Sequence, residues 1–202
     1  MSRAIVVTGL VLSLVMTVPA AAGVAPDVLV RQTTDKVLSR FTADRAILTE
    51  DHAKLYALVD ELVLPHFDFE RMSALVLGRY WSQATEAQQR RFVEEFRTLL
   101  VRTYATALFE YTGQPINYKQ LQMNDEADRA LVKTEISVGS GPAVPLHYRL
   151  ALNNDEWKVY DITIENISLV TNYRSSYARV VRVEGMDALI NSLAAKNSQP
   201  KK

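Results

Sequence analysis

The chain offers few groups for metal or nucleophilic chemistry. It has three histidines, His52, His66 and His147, and no cysteine. The histidines fall on three different expected elements with no carboxylate at ligand spacing, which argues against a shared metal. The absence of cysteine excludes disulfides, thiolate metal sites, a Cys nucleophile and a lipid-modified N-terminal Cys. Gly139-Ser140-Gly141 runs into Pro142-Ala143, not into a helix carrying Lys and Ser/Thr, so it is no phosphate loop. It also lacks the outer glycine of a nucleophile elbow. Asp161 is the one carboxylate set inside an apolar strand pattern. Two readings fit it: a hydrogen-bonding anchor between elements, or a general base in the pocket of a cone-shaped α+β fold. Arg90, Arg91, Arg97 and Arg102 interleave with Glu86, Glu94, Glu95 and Glu110, which is the pattern of a solvated helix face with i,i+4 pairs.

What the chain does have is aromatic and aliphatic surface. It carries nine Tyr against six Phe, and Tyr104, Tyr111, Tyr148, Tyr160, Tyr173 and Tyr177 all sit on the apolar side of their expected elements. Tyrosine joins an apolar body to a polar tip, which suits a cavity mouth. An ordinary core with hydroxyls reaching its edge has the same pattern, so periodicity leaves both readings open.

The elements that would position these side chains run helices, strands, helices. Val30, Val37 and Leu38 give an amphipathic helix over 27–40. A second opens at Thr49-Glu50-Asp51, carries Leu55, Leu58, Val59, Leu62 and Val63, and ends at Pro65. Asp68 caps a short helix closed by Gly78. Thr85-Glu86-Ala87-Gln88 is a capping box opening a long helix that is expected to reach Tyr111. The period then changes to two. Strands are expected near Ile116–Leu121, over Ala130–Val138, over Val144–Leu152 and from Trp157 to Ile164, separated by Gly/Pro and Asn/Asp turns. Helical spacing returns at Val170, Tyr173, Tyr177, Val180 and Val181, and again at Met186, Leu189, Ile190 and Leu193. The sum is an α+β fold: an antiparallel sheet of about four strands packed against a mostly helical layer.

Length and charge bound the function. A chain of 202 residues predicts one domain or two small ones. Basic and acidic residues balance at 23 each, so no positive field exists to hold nucleic acid. Arg3, the uncharged run from Ala4 to Val18 and Pro19-Ala20-Ala21-Ala22 have the layout of a secretory signal peptide, with cleavage expected before Gly23. Removing residues 1–22 leaves 22 positive and 23 negative charges, a net of −1. The expected organisation is a signal peptide over 1–22, a single domain over 23–196 and a polar tail over 197–202. The expected compartment is the periplasm of a bacterium.

Several blocks carry a resemblance. Ala74-Leu75-Val76-Leu77-Gly78-Arg79-Tyr80-Trp81, followed by Ala84-Thr85-x-Ala87-Gln88, resembles the MlaC or toluene-tolerance family of periplasmic phospholipid-binding proteins. So do Phe92-x-x-Glu95-Phe96-Arg97-x-Leu99-Leu100-x-x-Thr103-Tyr104-Ala105 and Glu110-Tyr111-x-Gly113-Gln114. Trp157-Lys158-Val159-Tyr160-Asp161-Ile162 is similar too, with Glu165-Asn166-Ile167-Ser168-Leu169-Val170, Asn172-Tyr173-Arg174-Ser175 and Gly185-Met186-Asp187-x-Leu189-Ile190-x-x-Leu193. Together they cover the chain from about Ala25 to Ala195. Asn166 departs from the family's usual glycine, which is expected to alter a local backbone angle.

The resemblance implies a soluble monomeric carrier of glycerophospholipid, with an apolar cavity between sheet and helices and no cofactor. Its implied partners are an outer-membrane lipoprotein–porin complex and an inner-membrane ABC transporter with a periplasmic lipid-binding subunit, serving outer-membrane lipid asymmetry. No enzymatic activity is implied. The residues expected to meet lipid are Leu75, Tyr104, Leu108, Tyr111, Val132, Ile136, Val144, Leu146, Tyr148, Ile162, Ile164, Ile167, Leu169 and Tyr173. Ile167, where the last strand hands over to the next helix, is expected to face the seam between them. Two other classes remain open at this point: a small-molecule enzyme with Asp161 as base, and a periplasmic adaptor whose apolar face binds a protein helix.

Overall fold

The computed structural model describes residues 23–139 and 141–199. The expected export segment 1–22, Ser140 of the Gly-rich turn and the end of the polar tail lie outside the described residues.

The N-terminal half is helical because its stop and start signals are met locally. Helix α1 (Pro26–Ala43) begins at a proline, where the missing N–H has no helical partner to lose. A short α2 (Arg45–Glu50) follows, which hydropathy alone does not reveal. Asp51 then caps α3 (His52–Leu62) by accepting from the Ala53 N–H, so α3 starts just after the expected Thr49-Glu50-Asp51 signal. Asp68 accepts from the Arg71 N–H at the start of α4 (Phe69–Leu77). Gly78 ends α4 with φ +55°, a backbone state that favours glycine.

Helix α5 (Glu86–Tyr104) opens with both bonds of the capping box: the Gln88 N–H donates to Thr85 Oγ1, and the Thr85 N–H donates to Gln88 Oε1. The helix does not continue to Tyr111 as expected. It tightens into a 3-10 segment over Ala105–Glu110, and Arg45 clamps the exit by donating to the carbonyls of Phe109 and Tyr111, each at 2.7 Å. Carbonyls freed where a helix ends need partners, and the guanidinium at the start of α2 supplies two of them. Thr85→Ala should remove one capping bond and cost about 1 kcal/mol, read as a small fall in urea midpoint with unchanged slope.

The sheet has six strands, two more than expected: β1 (Ile116–Tyr118), β2 (Gln122–Met123), β3 (Arg129–Ile136), β4 (Val144–Asn153), β5 (Glu156–Ile164) and β6 (Ile167–Ser168). The order is β1-β3-β4-β5-β6 with β2 also on β3, and every pairing is antiparallel. The extra strands are two residues each, too short for a period to show. Register places Ile116 and Tyr118, Val132, Thr134 and Ile136, and Leu146, Tyr148 and Leu150 on one face. Between β4 and β5 the register slips: Arg149 faces Asp161 while Leu150 faces Val159, leaving Tyr160 as the extra residue of a bulge. Val159 and Ile162, three apart, therefore share the inner face.

After β6 come α6 (Leu169–Glu184), capped by Ser168, and α7 (Met186–Ser198). The last helix runs into the expected polar tail, because Asn197 Nδ2 donates to Glu95 Oε2 and to the Glu95 carbonyl. Glu165 and Asn166 both take positive φ, +49° and +66°. Asn166 thus takes the left-handed backbone state that glycine adopts most freely.

Three apolar clusters result. The largest joins α4, α5, α6 and α7 through Met72, Phe92, Phe96, Tyr177 and Ile190. A second joins α1, α2 and α3 to the end of α5. A third sets α1 against the inner face of the sheet. Among the described residues no helix is long and apolar enough to cross a membrane.

Candidate functional site: an apolar cavity under helix α1

Between the second and third clusters, packing stops. The inner face of the sheet, α1 and the 3-10 segment after α5 enclose a partly open cavity of about 320 Å³. That is within the ordinary range of small-molecule sites, about 300–1,000 Å³. Helix α1 contributes Leu29, Val30, Thr33, Thr34, Val37 and Leu38, a stripe at i, i+4 and i+8. The stretch after α3 contributes Val63, His66 and Phe67, and the end of α5 with its 3-10 extension gives Tyr104, Ala107, Leu108 and Tyr111. The sheet supplies Ile116 and Tyr118, Thr134 and Ile136, Leu146 and Tyr148, and Val159 and Ile162.

The lining holds no Asp, Glu, Lys or Arg. Burial and the nearby Lys158 push the His66 imidazole below its usual pKa, which favours its neutral form. Burial raises the phenols of Tyr148 and Tyr118, so both stay protonated. Such a wall can bind hydrocarbon and donate a few hydrogen bonds. It holds no general base of the carboxylate type.

The structure brings Tyr104, Leu108, Tyr111, Ile136, Leu146, Tyr148 and Ile162 together on this wall. It places the other expected lipid-facing residues elsewhere. Val132 is buried in the packed contact between α1 and the sheet, and Val144 is half-buried near the start of β4. Leu75, Ile164, Leu169 and Tyr173 belong to the packed helical cluster, Tyr173 with its ring edge-on to Phe96 at 5.2 Å. Ile167 is 59% exposed on β6 and does not reach the seam. The reason is the turn: two successive positive-φ residues reverse the chain before Ile167, and pairing with Ile164 then holds it at the sheet margin.

Sequence reasoning missed the α1 stripe, because two threonines interrupt its hydropathy. It also missed Val159, whose inward direction comes from the bulge. The α1 signal was available as a spacing, while the bulge left no trace in the pattern.

Asp161 lies outside the cavity lining, 5% exposed. Its carboxylate accepts from the Ser168 hydroxyl at 2.7 Å and the Val170 N–H at 3.1 Å, with Arg149 at 3.9 Å. It ties β5 to the first turn of α6, which is the anchoring reading. Of the histidines, His52 packs tilted against Phe109 with ring centres 5.4 Å apart, His66 lines the cavity and His147 lies on β4.

The sequence profile of the family described as MlaC protein matches residues 31–195. The chain belongs to the MlaC family. It is 27% identical over 198 residues to the intermembrane phospholipid transport system binding protein MlaC of Haemophilus influenzae, spanning 96% of this chain and 92% of that one. It is 26% identical over 167 residues to the toluene tolerance protein ttg2D of Pseudomonas putida, spanning 82% and 77%. The phospholipid-binding protein of Ralstonia solanacearum, solved in complex with a phospholipid, superposes with a TM-score of 0.80 at 32% identity, covering 87% of this chain and 98% of the other. The MlaC-type α+β arrangement expected from the sequence blocks is thus the arrangement found.

Proposed function

We propose that the protein is a carrier of glycerophospholipid, not an enzyme, and that its acyl chains occupy the cavity beneath α1. The observation that carries this is a cavity wall without a charged side chain, in a member of the MlaC family. The physical need is large. About 30 methylenes exposed to water would cost roughly 24 kcal/mol at about 0.8 kcal/mol each, so a lone lipid does not cross an aqueous space at a useful rate. Moving the same chains from a bilayer into an apolar cavity is nearly neutral, and both loading and release stay reversible. The finer reading is a shuttle in the periplasm between an outer-membrane lipoprotein–porin complex and an inner-membrane ABC transporter with its periplasmic lipid-binding subunit. The family and the export-type N-terminal segment support it.

One preparation tests the reading. Protein taken from the periplasmic fraction without detergent should have an intact mass starting near Gly23 and should release phospholipid on solvent extraction. A mass that retains residues 1–22, found only in membranes, would count against export. A lipid-free protein that binds only peptides would favour the adaptor, and one that turns over a small substrate would favour an enzyme.

A further inference from the structure

Tyr118 is out of place in a wall built for hydrocarbon. Among the described residues its hydroxyl is buried and has no hydrogen-bond partner, although it belongs to the cavity lining. A buried donor left unmade is unfavourable, and such groups are rare in folded proteins. The surroundings do not relieve it. Thr134, its register partner on β3, is 2% exposed and commits its hydroxyl to the Leu146 carbonyl at 2.6 Å. Thr34 of α1 approaches both Tyr118 and Tyr148, yet brings no bond of good geometry to the Tyr118 oxygen. The ring is held in place: the Arg31 guanidinium lies over it, 3.8 Å from its centre. The result is an oriented O–H donor, near the hydroxyls of Thr34 and Tyr148, set in a wall without charged side chains.

Resting on the carrier reading, we infer that the Tyr118 hydroxyl donates to an acyl-ester carbonyl of the bound lipid, fixing its depth and selecting ester-linked over ether-linked chains. The chemistry is matched. An ester carbonyl only accepts, a protonated phenol donates, and neither carries charge into the cavity. An ether-linked lipid has the same hydrocarbon and head group but no carbonyl, so it would leave the donor unpaired. Discrimination by an unpaired buried polar group is stronger than discrimination by shape among similar chains.

The test is competitive loading from vesicles that contain equal amounts of a diacyl and a dialkyl-ether phosphatidylethanolamine of matched chain length. The wild-type protein should take up the diacyl lipid about fivefold in preference, the ratio expected for one neutral hydrogen bond. Tyr118→Phe keeps the ring beneath Arg31 and removes only the unpartnered hydroxyl. It should bring the ratio to about one by lowering diacyl uptake toward the ether level, with a melting temperature of the lipid-free protein no lower than the parent's. Infrared spectra of the wild-type complex give a readout that needs no variant. A hydrogen-bonded ester carbonyl absorbs at lower frequency, and the Tyr118→Phe complex should lose that component. A wild-type ratio near one, or a ratio and carbonyl band unchanged in Tyr118→Phe, would overturn the inference and leave the carrier standing. If the wild-type protein loads neither lipid, the carrier reading itself fails and takes this inference with it.

Discussion

Leu146→Glu should empty the protein of lipid while leaving it folded. Leu146 sits on central strand β4, half-buried, with its side chain on the cavity wall. When the cavity is empty, a carboxylate there can hydrate through the opening, so the native state survives with a modest loss. When acyl chains enter, that carboxylate must be desolvated against hydrocarbon. The penalty is on the order of 3 kcal/mol or more, roughly a hundredfold in affinity. Lipid extraction and a melting curve on the same detergent-free preparation check both halves. Leu150→Glu provides the contrast. Leu150 lies on the same face of the same strand, four residues on, but is fully buried in packed core and outside the lining. A charge there has no water to reach, and this variant should fail to fold. A folded Leu146→Glu protein with a normal lipid load would show that the cavity is not where the chains go.

The second large effect is expected at Asp161, on stability and not on lipid. Removing its side chain in Asp161→Ala strands the Val170 N–H and the Ser168 hydroxyl at the start of α6. Hydrogen bonds to a charged acceptor contribute about 1.5–3 kcal/mol each, so the loss should be roughly 3–5 kcal/mol. For a domain of this size that lowers the melting temperature by about 10 °C. Arg149 adds little, because it is half-exposed and 3.9 Å away. Asp161→Asn keeps one acceptor oxygen and should cost about half as much. Lipid load per folded molecule should stay at the wild-type value, since Asp161 does not line the cavity. A variant that melts like the parent but has lost all activity would revive the role of Asp161 as a catalytic base.

How far the sequence could be read depended on whether its signals were local. The caps at Asp68 and Thr85 and the positive-φ stop at Gly78 each involve residues within one turn of one another, and each forms as the spacing predicts. Strict alternation gave the inner faces of β3 and β4, because side chains on a regular strand have no freedom of side. The change of period from helical to two and back gave the α+β architecture, and the resemblance gave the expectation of a lipid-holding interior.

The tertiary structure decided which apolar residues face a void and which face one another. Leu75, Leu169 and Tyr173 have the same periodicity as Tyr104 and Leu108, yet the former pack among α4–α7 and the latter border the cavity. Hydropathy records that a side chain avoids water, and close packing and an open pocket satisfy that equally. The bulge at Tyr160 turned Val159 inward, and the double positive-φ turn at Glu165 and Asn166 sent Ile167 outward. Each is a backbone event of one or two residues that reverses side-chain direction without altering composition. The lone hydroxyl of Tyr118 is a tertiary fact of the same kind. A sequence shows that a tyrosine can donate, but only the placement of its neighbours shows that none of the described residues accepts from it.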